Sequence, residues 1–367
     1  MRVRDVRIRL AVAIGLLHGG SLGPAGAAAS TLVVLNKAEA TASLIDLGSG
    51  EEVARVPTGN GPHEVAVAPD GRTAVASNYG VRGAPGNTLT VIDVPSARAV
   101  KTIDLGEYTR PHGIAWFTDG RRVAVTAEGK RALLVVDVDK GAILSAIDTD
   151  QRVSHMVALT PDEKRAFVAN IGSGSMTAID LEKGERIANI ETGDGAEGIA
   201  VTPDGKHVWV TNRGVDTVTI LDTRSLEIVE TLECGSFPIR VRATPDGRWV
   251  LVTNARSGEL AIFDAVKLQE HRRITMQLEA SETRGRLFGD SFDKSSVPIG
   301  VLVEPDGKRA FVAHANADVV SVVDLENWKI SGSVRGGKEP DGLGFSRLDV
   351  EKTARSRQPA ESEENSP

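Results

Sequence analysis

The chain has 367 residues, 41% of them apolar, and a formal net charge of −7. Its first 29 residues carry four Arg and one Asp, which leaves the remainder at −10. That balance speaks against a nucleic-acid binder or a protein that adheres to anionic membranes, because both need a basic surface.

The N-terminus has the layout of an export signal. Arg2, Arg4, Arg7 and Arg9 form a basic region, and Leu10 to Leu17 is an apolar stretch too short to span a bilayer. Ala25-Gly26-Ala27 and Ala27-Ala28-Ala29 offer small-x-small cleavage positions. No Cys follows the apolar stretch and no Arg-Arg pair precedes it, so the general secretory route is expected. Cleavage between Ala27 and Ser30 would deliver a periplasmic or secreted protein with no membrane insertion. Cys234 is the only cysteine, so no internal disulfide forms and a buried, inert thiol is expected.

From Thr31 onward one pattern repeats seven times: an alternating apolar strand ends in Asp, and a further strand follows. The copies end at Asp46, Asp93, Asp137, Asp180, Asp222, Asp264 and Asp324, with spacings of 47, 44, 43, 42, 42 and 60 residues. A period near 42 marks one supersecondary unit that buries its faces by stacking on its neighbours. In the fourth unit Glu197–Thr202, His207–Asn212, Val215–Asp222 and Glu227–Leu232 read as four strands, with Pro203-Asp204-Gly205 as the first turn. Four antiparallel strands per unit make a propeller blade. The turn recurs at Pro69-Asp70-Gly71, Pro245-Asp246-Gly247 and Pro305-Asp306-Gly307, while Glu163 replaces Gly once and should strain its turn. Residues needed in every blade, such as the repeated Asp and Asn, are expected to bond backbone where strands turn.

Ala76-Ser77-Asn78, Val168-Ala169-Asn170, Val210-Thr211-Asn212 and Val252-Thr253-Asn254, each followed by an apolar strand ending in Asp, resemble the YVTN-type β-propeller repeat family. The resemblance runs from about Thr31 to Phe345 and keeps its phase. It implies an all-β, seven-bladed propeller like those of surface-layer-like exported proteins. Members of that family include binding proteins and metalloenzymes, so the fold is implied far more firmly than a function.

The ends complement each other. Thr31–Asn36 matches a second strand with no first strand before it, and Asp341–Phe345 matches a first strand with nothing after it. One blade should therefore combine them, which closes the ring and removes its sheet edges. Residues 1–29 are expected to be the signal, 30–349 the propeller and 350–367 a disordered tail.

Function is sought where blades differ. The opening residues of the first strands occupy equivalent places around one mouth of the channel: His63, His112, His155, Glu197, Ile239, Ile299 and Asp341. Three imidazoles and nearby carboxylates suit copper or another divalent ion, with His314 a fourth candidate because it replaces the Asn of its siblings. On strict alternation, however, His63 shares the side of Val65 and Val67, which would put it on a blade face. Arg240 either meets an anionic ligand or pairs with Glu197 or Glu64. The link after Asp264 carries an insertion, roughly 277–297, with Arg284 and Arg286, and the link Tyr79–Gly86 is also long. Long loops over a rigid mouth are where binding residues gather.

Two functions remain open. One is a monomeric binding scaffold that takes a small ligand or protein partner through Glu197, Arg240, Asp341, Arg284 and Arg286. The other is a metal-binding protein or metal-dependent oxidoreductase that uses His63, His112, His155 and His314.

Overall fold

The structure is a computed structural model that describes residues 30–276, 278, 286, 291–292 and 295–355. The expected signal (1–29), Arg284 and residues 356–367 lie outside the described residues. Seven four-stranded antiparallel sheets form a propeller. The inner strands are Pro62–Val67, Pro111–Trp116, Ser154–Leu159, Ala196–Val201, Pro238–Ala243, Pro298–Val303 and Pro340–Ser346, and they define blades 1 to 7. Among the described residues, no helix is long and apolar enough to cross a membrane.

Blade 7 closes the ring as the sequence implies. Its inner strand pairs with Thr31–Asn36 in the register Thr31↔Ser346 to Asn36↔Pro340, and Thr41–Asp46 and Glu52–Pro57 complete the sheet. Alternation places Leu32 and Val34 against blade 6, and Val33 and Leu35 against blade 1. All four are fully buried, and each stabilises the fold by about 1.5–3 kcal/mol.

The repeated polar residues are scaffold. Asp222 Oδ1 accepts the amides of Arg224 and Ser225, and Asp324 treats Glu326 and Asn327 alike. Asn212 Nδ2 donates to Thr217 and Thr219, and Asn36 Nδ2 donates to Thr41 and Ser43. Asn36 Oδ1 also accepts the amide of Gly337, so this side chain ties two strands to the segment that leads into the inner strand of the same blade. Glu163 adopts φ +57°, in the region where Gly205 sits at +71°, so the turn keeps its shape at the cost of a strained residue. Its carboxylate accepts the amide of Thr118 in blade 2, a bond glycine could not make.

Two segments differ from expectation. The Tyr79–Gly86 link is not an irregular loop, since Thr73–Val81 and Ala84–Asp93 extend as paired strands around a turn at Arg82-Gly83. The first residues of the expected tail are packed rather than disordered. Val350 is buried and Ala354, on the short helix Lys352–Arg355, packs on the same cluster. Glu351 N also donates to Pro95 O at 2.8 Å.

Candidate functional site

A bulge repeated in every inner strand builds the site. In blade 1, Pro62 pairs with Asn78 and Val65 with Ala76, so His63 and Glu64 together oppose the single residue Ser77. Blades 2, 3, 4 and 6 shift register at the same place, and blade 5 does so at Ile239. A bulge interrupts the alternation and re-aims the side chain. His63 therefore leaves the side of Val65 and joins the ring at the mouth, which strict alternation did not foresee.

Hydroxyls lock these bulges. Ser77 Oγ, Thr126 Oγ1, Thr211 Oγ1 and Thr253 Oγ1 accept the amides of Glu64, Gly113, Gly198 and Arg240. The same four hydroxyls donate to the carbonyls of His112, His155, Ile239 and Ile299 in the next blade. Each ring residue on that list is thus hooked by its neighbour. Gly113 and Gly198 are needed for closeness: a Cβ there would lie 2.7 Å from His155 O and 2.3 Å from Ile239 O.

Three imidazoles stack at the mouth. His112 lies between His63 and His155, with ring centroids 4.0 Å and 3.5 Å away. His63 Nε2 lies 2.8 Å from the Lys37 ammonium, and its Nδ1 lies 3.0 Å from Asp341 Oδ2. The ammonium can only donate, so Nε2 accepts and Nδ1 carries the proton toward Asp341. His155 Nδ1 donates to Glu128 Oε1 at 2.6 Å, while its Nε2 is 3.4 Å from Glu197 Oε1. His112 is fully buried, and neither ring nitrogen has a hydrogen-bond partner among the described residues.

An ionic lattice surrounds the stack. Arg240 donates to Glu64 Oε1 from Nε at 2.8 Å and from Nη2 at 2.5 Å, and to Glu197 Oε1 at 3.3 Å. Arg240 therefore pairs with both carboxylates the sequence offered it, and Asp341 Oδ1 stands 4.0 Å away. Arg213 donates to Glu197 Oε2 at 2.6 Å. Tyr79 donates to Glu128 Oε2 at 2.6 Å and accepts from Arg110 at 3.0 Å.

Burial and these charges set the protonation states. Burial pushes His112 well below the ordinary histidine value, and its two histidine neighbours reinforce the shift. Burial also lowers His63, partly offset by Asp341. His155 goes the other way: burial opposes its charge, but Glu128 and Glu197 outweigh it and raise its pKa. Burial would raise Glu197, yet His155, Arg213 and Arg240 hold it down at about 2. Asp341 is likewise depressed by His63, Lys37 and Arg240 against its burial. Tyr79 is pushed up to about 12 by burial and by Glu128.

The remaining expected residues sit elsewhere. His314 keeps the scaffold role of the Asn it replaces: its Nδ1 is 2.9 Å from Ser296 Oγ and its Nε2 is 2.9 Å from Ser321 Oγ. Both nitrogens are engaged, so it has none to offer the histidine stack. Arg286 clamps Asp318 with two bonds of 2.6 and 2.8 Å and faces blade 6. Five residues of the lattice were not among the expected ligands: Arg110, Lys37, Tyr79, Glu128 and Arg213. Lys37, Glu128 and Arg213 stand one place beyond a second strand, where other blades have Ile171, Ala255 and Ala315, and Tyr79 takes the equivalent place, after Asn78, within the lengthened strand of blade 1. The signal was variation at a fixed place, the same signal that marks the inner strands.

The profile of the family described as "Lactonase, 7-bladed beta-propeller" matches residues 185–270. The chain is a β-propeller. The matched stretch spans about two blades and contains Glu197 and Arg240, but none of the three stacked histidines. Among solved structures, hydrazine synthase of Kuenenia stuttgartiensis matches at 21% identity with a TM-score of 0.61, over 72% of this chain and 77% of that one. Likeness at that identity is likeness of fold. A search of curated proteins finds no match.

Proposed function

We propose that this chain is an exported YVTN-repeat propeller that acts as a binding scaffold and takes its ligand at the channel-mouth face. The observation that carries this reading is His112. A fully buried imidazole with two unpartnered nitrogens costs stability that the fold does not recover among the described residues. It sits in a lattice whose members change from blade to blade, unlike the Asp and Asn of the scaffold. Lys37, Glu128 and Arg213, on links after second strands, and Tyr79, on the lengthened second strand of blade 1, ring the approach. Export rests on the basic, apolar and small residues of 1–29, and mass spectrometry of the mature protein should find an N-terminus near Ser30.

Thermal-shift screening tests the mouth directly. In buffer with chelator, wild type, His112→Gln and His207→Ala would be screened against small carboxylates, phosphate, sugars and sugar lactones. His207 opens a second strand at the opposite face. One ligand class should raise the melting point of wild type and His207→Ala and leave His112→Gln unmoved. Shifts of equal size in all three proteins would remove the mouth from consideration.

A further inference from the structure

We propose that His63, His112 and His155 form a site for one divalent ion of the zinc or copper(II) kind, with Asp341 and Glu128 orienting the outer imidazoles and Lys37 standing in the ion's place. The inference rests on the mouth being the binding face and names the class of ligand it takes.

Proximity is the first argument. His63, Glu64 and His112 each offer a ligand atom, all within 4.8 Å of one another, and so do His112, Glu128 and His155. His112 belongs to both groups and lies between the other two imidazoles. Three nitrogens bound at about 2.0–2.1 Å to one tetrahedral ion stand roughly 3.3 Å apart. The outer rings, His63 and His155, have centroids 6.4 Å apart, so side-chain rotation has to bring their Nε2 atoms in toward His112.

Orientation is the second. A metal-bound histidine ordinarily gives its other ring N–H to a carboxylate, which fixes the tautomer and raises ligand basicity. Both outer histidines have a carboxylate beside Nδ1: Glu128 is hydrogen-bonded to His155 at 2.6 Å, and Asp341 Oδ2 stands 3.0 Å from His63. Each then has Nε2 to give. The Nε2 of His155 has no hydrogen-bond partner among the described residues but faces Glu197 Oε1 at 3.4 Å, and that of His63 holds the Lys37 ammonium. Tyr79 and Arg110 extend the chain behind Glu128 and hold it in place.

Charge is the third. The carboxylates Glu64, Glu128, Glu197 and Asp341 face the cations Lys37, Arg213 and Arg240, with Arg110 acting on Glu128 and Arg242 on Glu64 from farther off. Lys37 is the cation that can leave, because it stands on the rim and its side chain is 19% exposed against 5% for Arg240. Its departure frees His63 Nε2 and takes a positive charge away from Asp341, which a bound divalent ion restores. Imidazole donors with carboxylates and no thiolate favour zinc or copper(II) over calcium, magnesium or copper(I).

The test uses full-length mature protein, stripped with chelator and titrated with Zn2+ and with Cu2+. Wild type and His207→Ala should each take about one ion per chain. His112→Gln should bind at least ~10-fold more weakly, Glu128→Gln about 10-fold more weakly, and Lys37→Met several-fold more tightly. Circular dichroism shows whether His112→Gln is folded; if it is not, Glu128→Gln and Lys37→Met carry the test with opposite signs. Copper(II) bound here should show nitrogen hyperfine structure in its paramagnetic resonance spectrum, and oxygen-only coordination overturns the site. No uptake of either ion by wild type overturns this inference alone and leaves the organic-ligand screen to judge the mouth. Uptake kept by folded His112→Gln but lost in His207→Ala overturns both readings, because the ion would then sit on the other face.

Discussion

The mouth has two halves raised on one backbone plan. Blades 7, 1, 2, 3 and 4 present Asp341, His63, His112, His155 and Glu197 at the ring position, whereas blades 5 and 6 present Ile239 and Ile299. The bulge is common to both halves, and so is the hook: Thr126 holds the carbonyl of His155 as Thr253 holds that of Ile299. Above the ring the halves part. Over blades 5 and 6, Phe292 of the insertion stacks on Phe237 at 4.8 Å and packs with Ile239, Ile299, Ala255 and Ala315. Arg286, clamped on Asp318, pins the insertion there. Over the other blades stand Lys37, Tyr79, Glu128 and Arg213. The backbone fixes where a ring residue goes, so its chemical type is free to vary. The half that varied toward apolar residues is covered by the chain itself, and the half that varied toward ionisable ones is held by charge.

Blade 7 joins the two halves, and breaking it gives the largest effect. Deleting 341–367 removes the strand paired with Thr31–Asn36 together with Asp341, and opens sheet edges beside both halves. No cooperative melting should remain. Deleting 356–367 should leave the melting point unchanged, because it spares Val350 and Ala354. A well-folded 341–367 deletion would show that closure does not hold the ring.

Arg240 comes next. It is the polar residue that blade 5 sends across the divide, and it contacts Glu64 and Glu197. Arg240→Leu leaves two buried carboxylates without that partner and should cost about 3–5 kcal/mol in urea unfolding. Arg240→Leu combined with Glu64→Leu should cost less than the two single changes added together. Strict additivity would mean that the lattice holds nothing together.

The polar half should also make stability depend on pH, with opposite contributions from neighbouring rings. His63 and His112 have lowered pKa values in the folded state. Below the usual histidine value of about 6.5 the unfolded chain gains protons that these two refuse, so stability falls as pH falls. His155 has a raised pKa. Its contribution is fully present below about 6.5 and is lost as pH rises through its folded value. Glu197, held at about 2, adds stability above the ordinary glutamate range that disappears as pH falls toward 2. Melting points in chelator should therefore peak near neutrality. His112→Phe should flatten the acid limb and His155→Gln the alkaline limb. If both variants keep the wild-type profile, these imidazoles do not titrate as their surroundings require.

The sequence made some of this legible. The phase of the repeat located the seven inner strands, and the unmatched ends at Thr31 and Phe345 located the closure, because both are properties of periodicity. Variation at the second residue of the inner strand located His63, His112 and His155. What stayed hidden depends on packing. Alternation could not show the bulge that turns His63 inward. The pairing of Arg240 with both Glu64 and Glu197 crosses blades and needs coordinates. Thr126 and Thr253 looked like ordinary strand residues, since a hydroxyl that hooks the next blade has the same one-dimensional signature as one that faces a strand. His314 looked exceptional because its residue type was new, yet it hydrogen-bonds to Ser321 in the third strand as Asn212 does to Thr219.

The hooks allow the sharpest comparison of the halves, with the smallest expected effect on stability. Thr126→Val and Thr253→Val are isosteric and remove the same pair of bonds, one to the bulge amide and one to the neighbouring carbonyl. Each hydroxyl is buried, and each lost bond leaves a buried backbone partner unpaired, so both variants should lose about 1–3 kcal/mol. Their local consequences should differ. Freed by Thr126→Val, His155 can shift relative to Glu128 and His112, and the imidazole resonances of the stack should move in a proton–nitrogen correlation spectrum. Freed by Thr253→Val, Ile299 remains fixed by the apolar cover of Phe292 and Val297, and those resonances should stay in place. Equal disturbance of the histidines in both variants would mean that the two halves of the mouth move as one body, and that the division drawn between them is chemical but not mechanical.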